Sequence, residues 1–165
     1  MRAHELAADP IREAVTPADL ALARALFEEY AAWLQIDLSF QGFAQELATL
    51  PGAYAPPHGR LWIAGPPGAA AGCIALRPLP GSQAPVTGEV KRLYVQPRAR
   101  GTGLGLRLAE TLISEARAIG YRELKLDTLG HMADARRLYE RLGFALCSPY
   151  YHNPLPGTVY MARTL

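Results

Sequence analysis

The chain predicts a mixed α+β domain, with a mostly antiparallel central sheet of about seven strands flanked by about four helices. Three observations carry that expectation. Short apolar runs are punctuated by proline and glycine, two stretches repeat apolar residues at helical spacing, and the elements read in the order β-α-α-β-β-β-α-β-α-β-β. Antiparallel hairpins precede one central β-α-β crossover, which argues against a doubly wound parallel sheet.

Ile11 to Val15 reads as the first strand. Thr16-Pro17 supplies an N-cap and a first helical position, opening a helix that runs to about Trp33. A second helix is expected over Phe40 to Leu50. Leu61 to Ala64 and Gly72 to Leu76 read as strands joined by the Pro66-Pro67-Gly68 turn. Glu89 to Val95 is a strand with charge in its first half. Leu104, Leu108, Leu112, Ile113, Ala116 and Ile119 share one helical face, and Gly120 ends that helix. Glu123 to Thr128 returns as a strand. Ala135, Leu138, Tyr139 and Leu142 mark a helix from Ala133 to Leu142, closed by Gly143 in the C′ position. Phe144 to Ser148 and Thr158 to Arg163 complete the sheet. No internal repeat interrupts residues 1–165, which are expected to form a single domain.

Composition narrows the class of function. Half of the residues are hydrophobic and 19% are charged, as in a globular chain with a buried core. A formal charge of +2 gives no basis for nucleic-acid binding. Lys91 and Lys125 are the only lysines, so nearly all positive charge is arginine. Cys73 and Cys147 are far apart and lie in apolar runs, so two buried free thiols are expected, with neither a disulfide framework nor a zinc site. The first ten residues carry acids and no apolar core, which does not suit a secretory leader. The apolar run from Leu61 to Leu76 is broken by Gly65, Pro66, Pro67 and Gly68, which does not suit a membrane span. A cytoplasmic protein is the expectation.

The sharpest feature is Arg100-Gly101-Thr102-Gly103-Leu104-Gly105, placed directly after a strand and before an amphipathic helix. Glycines let backbone N–H groups turn toward one point without Cβ obstruction. The free amides and dipole of a helix start favour a phosphate there, and Arg98 and Arg100 can add charge-assisted bonds. A Walker loop is excluded, because no Gly-Lys-Ser/Thr follows. The dinucleotide pattern needs glycine where Leu106 stands, although Asp127 lies at a suitable distance for its acid. Its first strand would also be buried on both faces, whereas this one carries Glu89, Lys91 and Arg92.

Arg100, Gly103 and Gly105 match Gln/Arg-x-x-Gly-x-Gly/Ala, the cofactor signature of the GNAT superfamily of N-acetyltransferases, which the chain resembles. Leu93-Tyr94-Val95-x-Pro97 is similar to the strand end that precedes that signature. Ala135-x-x-Leu138-Tyr139-x-x-x-Gly143-Phe144 is similar to the family's second signature. The two occur in order, separated by one strand. Met132 departs from the pattern, standing where many members carry an asparagine that contacts the cofactor arm. The resemblance implies an acyl-CoA N-acyltransferase fold, acetyl-CoA as co-substrate, and acetyl transfer to a primary amine by direct attack in a ternary complex. It implies that Leu93, Tyr94 and Val95 present backbone groups to pantetheine along a splayed strand. Arg98, Arg100, Gly101, Thr102, Gly103, Leu104 and Gly105 would then hold the diphosphate, with Met132, Ala135 and Tyr139 along the arm. Relatives often dimerise through their C-terminal strands, so a homodimer is an expectation of the same kind.

Acetyl transfer needs a neutral amine beside the thioester carbonyl, donors for the developing oxyanion and a proton for the leaving thiolate. The backbone N–H near Val95 is a candidate oxyanion donor. By family analogy Tyr139 donates to the sulfur; the same tyrosine also sits on an apolar helical stripe. Glu89 is the candidate general base, with an ion pair to Lys91 or Arg92 as the alternative. The acceptor, a small or protein amine, is expected between Tyr30 to Phe43, the Tyr150 to Asn153 loop and Arg77, with Trp33, Phe40, Arg77, Asp127, Tyr151 and His152 as its candidate contacts. Arg77 would meet an acceptor carboxylate. Asp127 would hold substrate or cap a turn, His152 would titrate near neutrality or pack beside the tyrosines, and His131 is expected at the surface. A catalytically idle coenzyme-A-binding regulator and an NAD-dependent oxidoreductase are the competing readings.

Overall fold

The computed structural model describes residues 10–165, so most of the N-terminal stretch expected not to be a secretory leader lies outside the described residues. The strands are β1 (Ile11–Glu13), β2 (Arg60–Ala64), β3 (Gly72–Pro78), β4 (Thr87–Val95), β5 (Glu123–Leu129), β6 (Ala145–Leu146) and β7 (Thr158–Thr164). The helices are α1 (Pro17–Leu34), α2 (Phe43–Thr49), α3 (Leu104–Ile119) and α4 (Ala133–Arg141). The strands form one sheet in the order β1-β2-β3-β4-β5-β7-β6, and every neighbouring pair is antiparallel except β4 with β5. This is the element order expected from the sequence. It leaves no room for a dinucleotide-binding doubly wound sheet.

Both faces of the central strands are covered, which explains the uninterrupted apolar runs of β2 and β3. Ile74 and Leu76 pack on Leu104, Leu108 and Leu112 of α3, while Cys73 and Ala75 face Ala23, Leu26 and Phe27 of α1. Removing a side chain such as Leu108, which is fully buried, should cost about 2–5 kcal/mol.

Local chemistry sets the helix ends. Thr16 caps α1 by accepting the Asp19 amide at 3.2 Å, with Pro17 in the first turn. The expected Phe40–Leu50 helix is instead divided. A single 3₁₀ turn, Ser39–Gln41, ends at Gly42 in the left-handed region (φ 69°), and α2 begins after it. The break turns Gln41 out of the helical row and into the interior of the site. Gly143 (φ 87°) follows α4 as expected, and the Phe144 amide bonds the Tyr139 carbonyl at 3.0 Å. β6 is shorter than Phe144–Ser148. Cys147 is half-buried rather than buried, whereas Cys73 is fully enclosed.

β4 and β5 pair only through Thr87, Gly88 and Glu89, opposite Glu123, Leu124 and Lys125. Beyond Glu89 the strands part. On the β3 side, the step from Lys91 to Tyr94 takes one more residue than the step from Ala75 to Cys73 opposite. Arg92 absorbs the bulge with φ 60°, unusual for a non-glycine residue, and its carbonyl accepts the Cys73 thiol at 3.3 Å.

Candidate active site

The parting of β4 from β5 opens a cleft whose other wall is the start of α4. Leu93, Tyr94 and Val95 line one side, and Met132, Ala135 and Leu138 the other, around a volume of about 450 Å³. At the outer end lies the glycine loop. Gly101 (φ 76°) and Gly103 (φ 84°) both occupy the left-handed region, and an added Cβ at either would meet nothing within 4 Å. Conformation, not space, therefore calls for glycine there. Thr102 donates its hydroxyl to the Ala99 carbonyl at 2.6 Å, tying the loop back on itself. The Arg100 amide bonds Pro97 and the Arg107 amide bonds Gly103, but among the described residues the amides between them find no acceptor. No acid stands in the first turn of α3. Such a run of free amides at a helix start fits a polyanion. The side chain of Leu104 is buried in the core, so only its amide is available to the loop.

The arginines of the loop differ. Arg98 is exposed and bonds the Gln96 side chain at 2.9 Å. Arg100 lies over the Trp33 ring at 4.7 Å and donates to the Val95 carbonyl at 3.0 Å. Trp33, expected at the acceptor, thus stands at the mouth of the outer cleft. It is 46% exposed.

The cleft narrows inward to a hollow of about 70 Å³ whose lining includes Tyr30, Gln41, Lys91, Arg92, Asp127, Tyr139 and Asn153. Tyr139 is 7% exposed and packs edge-on against Phe144, with centroids 5.5 Å apart. Among the described residues its hydroxyl has no hydrogen-bond partner. Burial pushes the phenol well above its ordinary range, so it stays protonated at physiological pH. The neighbouring Tyr30 is pushed up to about 12 for the same reason.

Glu89 has a different setting. It is 1% exposed, and the Arg77 guanidinium grips its Oε1 at 2.7 Å while the Tyr150 hydroxyl donates to Oε2 at 2.8 Å. Its ion-pair partner is Arg77, not Lys91 or Arg92. The same pair occupies the guanidinium that was expected to meet an acceptor carboxylate. Glu89, Arg77, Phe40 and Tyr150 line an adjoining side hollow that shares Gln41 and Lys91 with the inner hollow.

A second ion pair lies beside the first. Arg92 grips Glu46 through two bonds of 2.9 Å and bonds Gln41 at 2.8 Å. Gln41 Oε1 also accepts Lys91 Nζ at 3.2 Å, and its amide nitrogen donates to the Tyr151 hydroxyl at 3.2 Å. Asp127 Oδ2 accepts both Tyr151 and Asn153, the latter at 2.8 Å. His152 is exposed and lines a shallow surface depression but not the hollow, and His131 sits at the cleft rim.

The charges of β4 were read as a sign of exposure, and the structure corrects that reading: Lys91 and Arg92 are each 5% exposed. Gln41 and Asn153 lie within the segments expected at the acceptor, whereas Glu46, Lys91 and Arg92 are site residues that sequence reasoning does not assign there. The available signal was a Glu-x-Lys-Arg cluster in an otherwise apolar strand, two of whose three charges the fold buries in ion pairs.

A sheet that splits between parallel strands, with a free-amide loop at the mouth and a buried phenol at the base, defines an acyl-CoA N-acyltransferase fold. Comparison with known proteins agrees. Residues 21–144 match the acetyltransferase (GNAT) family. An uncharacterised N-acetyltransferase of Schizosaccharomyces pombe is 42% identical over 146 residues, which cover 88% of each chain. A Klebsiella pneumoniae protein, solved as a candidate acyl-CoA N-acyltransferase, superposes with a TM-score of 0.73 at 29% identity, covering 96% of this chain and 99% of that one. A Sinorhizobium meliloti phosphinothricin acetyltransferase solved in complex with AcCoA shares the fold, with a TM-score of 0.70 at 23% identity over 95% of this chain and 88% of that one. The chain belongs to the GNAT family and is an acetyl-CoA-dependent N-acetyltransferase. Among the described residues, no helix is long and apolar enough to cross a membrane.

Proposed function

We propose that the outer cleft takes the pantetheine arm of acetyl-CoA, with the diphosphate on the amides of residues 101–106 and a small amine in the inner hollow. The free amides beside a split strand pair are the observation that carries this reading. Arg98 and Arg100 add positive charge; Arg100 would exchange Val95 and Trp33 for phosphate oxygens, freeing the Val95 carbonyl for the arm. Leu93 and Val95 offer backbone groups along the edge. Ala135, Met132 and Leu138 supply an apolar wall. Met132 is half-buried and offers no amide or hydroxyl, so the cofactor arm would meet packing there instead of a hydrogen bond.

Acetyl-CoA supplies an activated thioester. The protein's part is to orient the acceptor, exclude water and manage two protons. Tyr139, whose hydroxyl has no partner among the described residues and faces the inner hollow, would protonate the leaving sulfur. Asp127 is positioned to meet the acceptor amine, because Oδ2 is held by Tyr151 and Asn153 while Oδ1 has no partner among the described residues. Glu89 has both oxygens engaged and lines the side hollow, so it acts through Arg77 and Tyr150 as a positioning residue. Replacing Tyr139 with Phe should lower kcat on the order of 10- to 100-fold while leaving the acetyl-CoA Kd nearly unchanged. Thiol-release kinetics paired with calorimetry measures both. Unchanged turnover would retire the acid assignment.

Two further expectations rest on narrower support. The free thiols suit a reducing cytoplasm. Leu146, exposed on the edge strand β6, suits pairing of copies through the C-terminal strands, which sedimentation at several concentrations would test.

A further inference from the structure

The charged side chains around the inner hollow leave one cation unspent. Arg77 is matched by Glu89 and Arg92 by Glu46. Lys91 has no carboxylate within ion-pair distance among the described residues. It donates to Gln41 Oε1 at 3.2 Å, an oxygen it shares with Arg92. An ammonium carries three donors, so two remain unused in a side chain 5% exposed to solvent. Burying a charge without a counter-ion is costly, and a chain that needed only packing there would do better with an apolar residue. The position is also specific. Glu89 and Lys125 are the last paired residues of β4 and β5, and Lys91 and Asp127 each stand two residues beyond. Alternation along a strand keeps them on the face that carries Glu89 and Lys125, and both line the hollow. A cation and an anion, neither in an ion pair among the described residues, thus flank the entrance to the split.

We propose that Lys91 is a specificity-determining anchor for a carboxylate on the acceptor, making the substrate a small amino acid or another amine that carries a carboxylate. This rests on the reading of the inner hollow as the acceptor site and supplies its substrate class. The acceptor amine lies toward Asp127 and its carboxylate toward Lys91. A single unspent cation matches a monoanion better than a phosphate dianion, and a hollow of about 70 Å³ suits a small molecule.

The test compares acids with their neutral counterparts. Thiol release from acetyl-CoA by the full chain is measured with aspartate, glutamate, β-alanine, γ-aminobutyrate and the common α-amino acids, each beside its carboxamide and its decarboxylated amine. The best acid should exceed its own amide in kcat/KM by at least about tenfold, the worth of one charge-assisted hydrogen bond. Lys91→Met should bring the acid down to the level of its amide, chiefly through KM, and Lys91→Arg should restore part of the preference. Calorimetry on the CoA-loaded protein gives a second readout that needs no turnover: acids bind the wild type and amides do not. Equal values for acid and amide in both measurements would overturn the anchor, as would a Lys91→Met protein that keeps the preference. If Lys91→Met does not fold, the wild-type panel and calorimetry decide alone. Failure of the acceptor-site reading looks different: acids would bind the CoA-loaded protein, yet no amine would release thiol.

Discussion

On one face of β4, Val90, Leu93 and Val95 join the apolar cluster built around α3; on the other, Glu89 and Arg92 meet β3, α2 and the tyrosine loop through buried ion pairs and hydrogen bonds, with Lys91 on the shared Gln41. The two faces share a strand but not a chemistry. The first is held by burial of leucines and by backbone conformation, and it leads to the glycine loop. The second is held by two matched ion pairs and a shared glutamine. The contrast suggests a division of labour: a diphosphate can be held by main-chain amides and so constrains few side chains, whereas an acceptor must be recognised by specific charges.

The largest effect on cofactor binding should come from the loop side. Gly103→Asp forces a left-handed residue to carry a Cβ and places an anion at a helix N-terminus, so acetyl-CoA affinity should fall by at least about 100-fold. Gly103→Ala isolates the conformational part. Because an added Cβ meets nothing within 4 Å, the alanine variant should lose only about 1–2 kcal/mol, read by calorimetry. Equal losses in the two variants would mean that charge plays no part.

On the ionic face the main effect should fall on stability. Arg92→Met strands the Glu46 carboxylate in a largely buried site and should cost about 3–5 kcal/mol in denaturant unfolding. The double variant Arg92→Met with Glu46→Leu should recover much of that loss. A double variant as unstable as the single would show that the pair does not act as a unit.

The smallest effect is a pH dependence. Burial holds the Lys91 pKa below its usual value of 10.5, so the unfolded chain binds more protons than the folded one between the depressed value and 10.5. The Lys91 contribution to stability is therefore unfavourable below the depressed value and is relieved as pH rises through that window. Subtracting the stability curve of Lys91→Met from that of the wild type should leave a difference that rises with pH. A flat difference would place Lys91 in a wetter setting.

Much of the fold was legible because its signals are local. Thr16-Pro17, the leucine stripe of α3, and Gly120 and Gly143 each mark an element within a turn or two of sequence. The glycine loop was legible for the same reason. The divided helix at Gly42 was missed, because a left-handed glycine inside an apolar stretch looks like a tolerated interruption. The ionic face was not legible, since its partners are distant: Arg92 and Glu46 are 46 residues apart, and Tyr150 and Glu89 are 61. Arg77 was expected to meet substrate because nothing nearby in sequence announces Glu89 as its partner. Trp33 was assigned to the acceptor because its stacking on Arg100 depends on how α1 lies across the sheet.

The most direct test of the account is amide hydrogen exchange across residues 101–106 with and without acetyl-CoA. The account expects fast exchange in the free protein and strong protection of this segment in the complex, alongside protection of the β4 edge at Leu93 to Val95. Exchange in the loop that stays equally fast with saturating acetyl-CoA would contradict it.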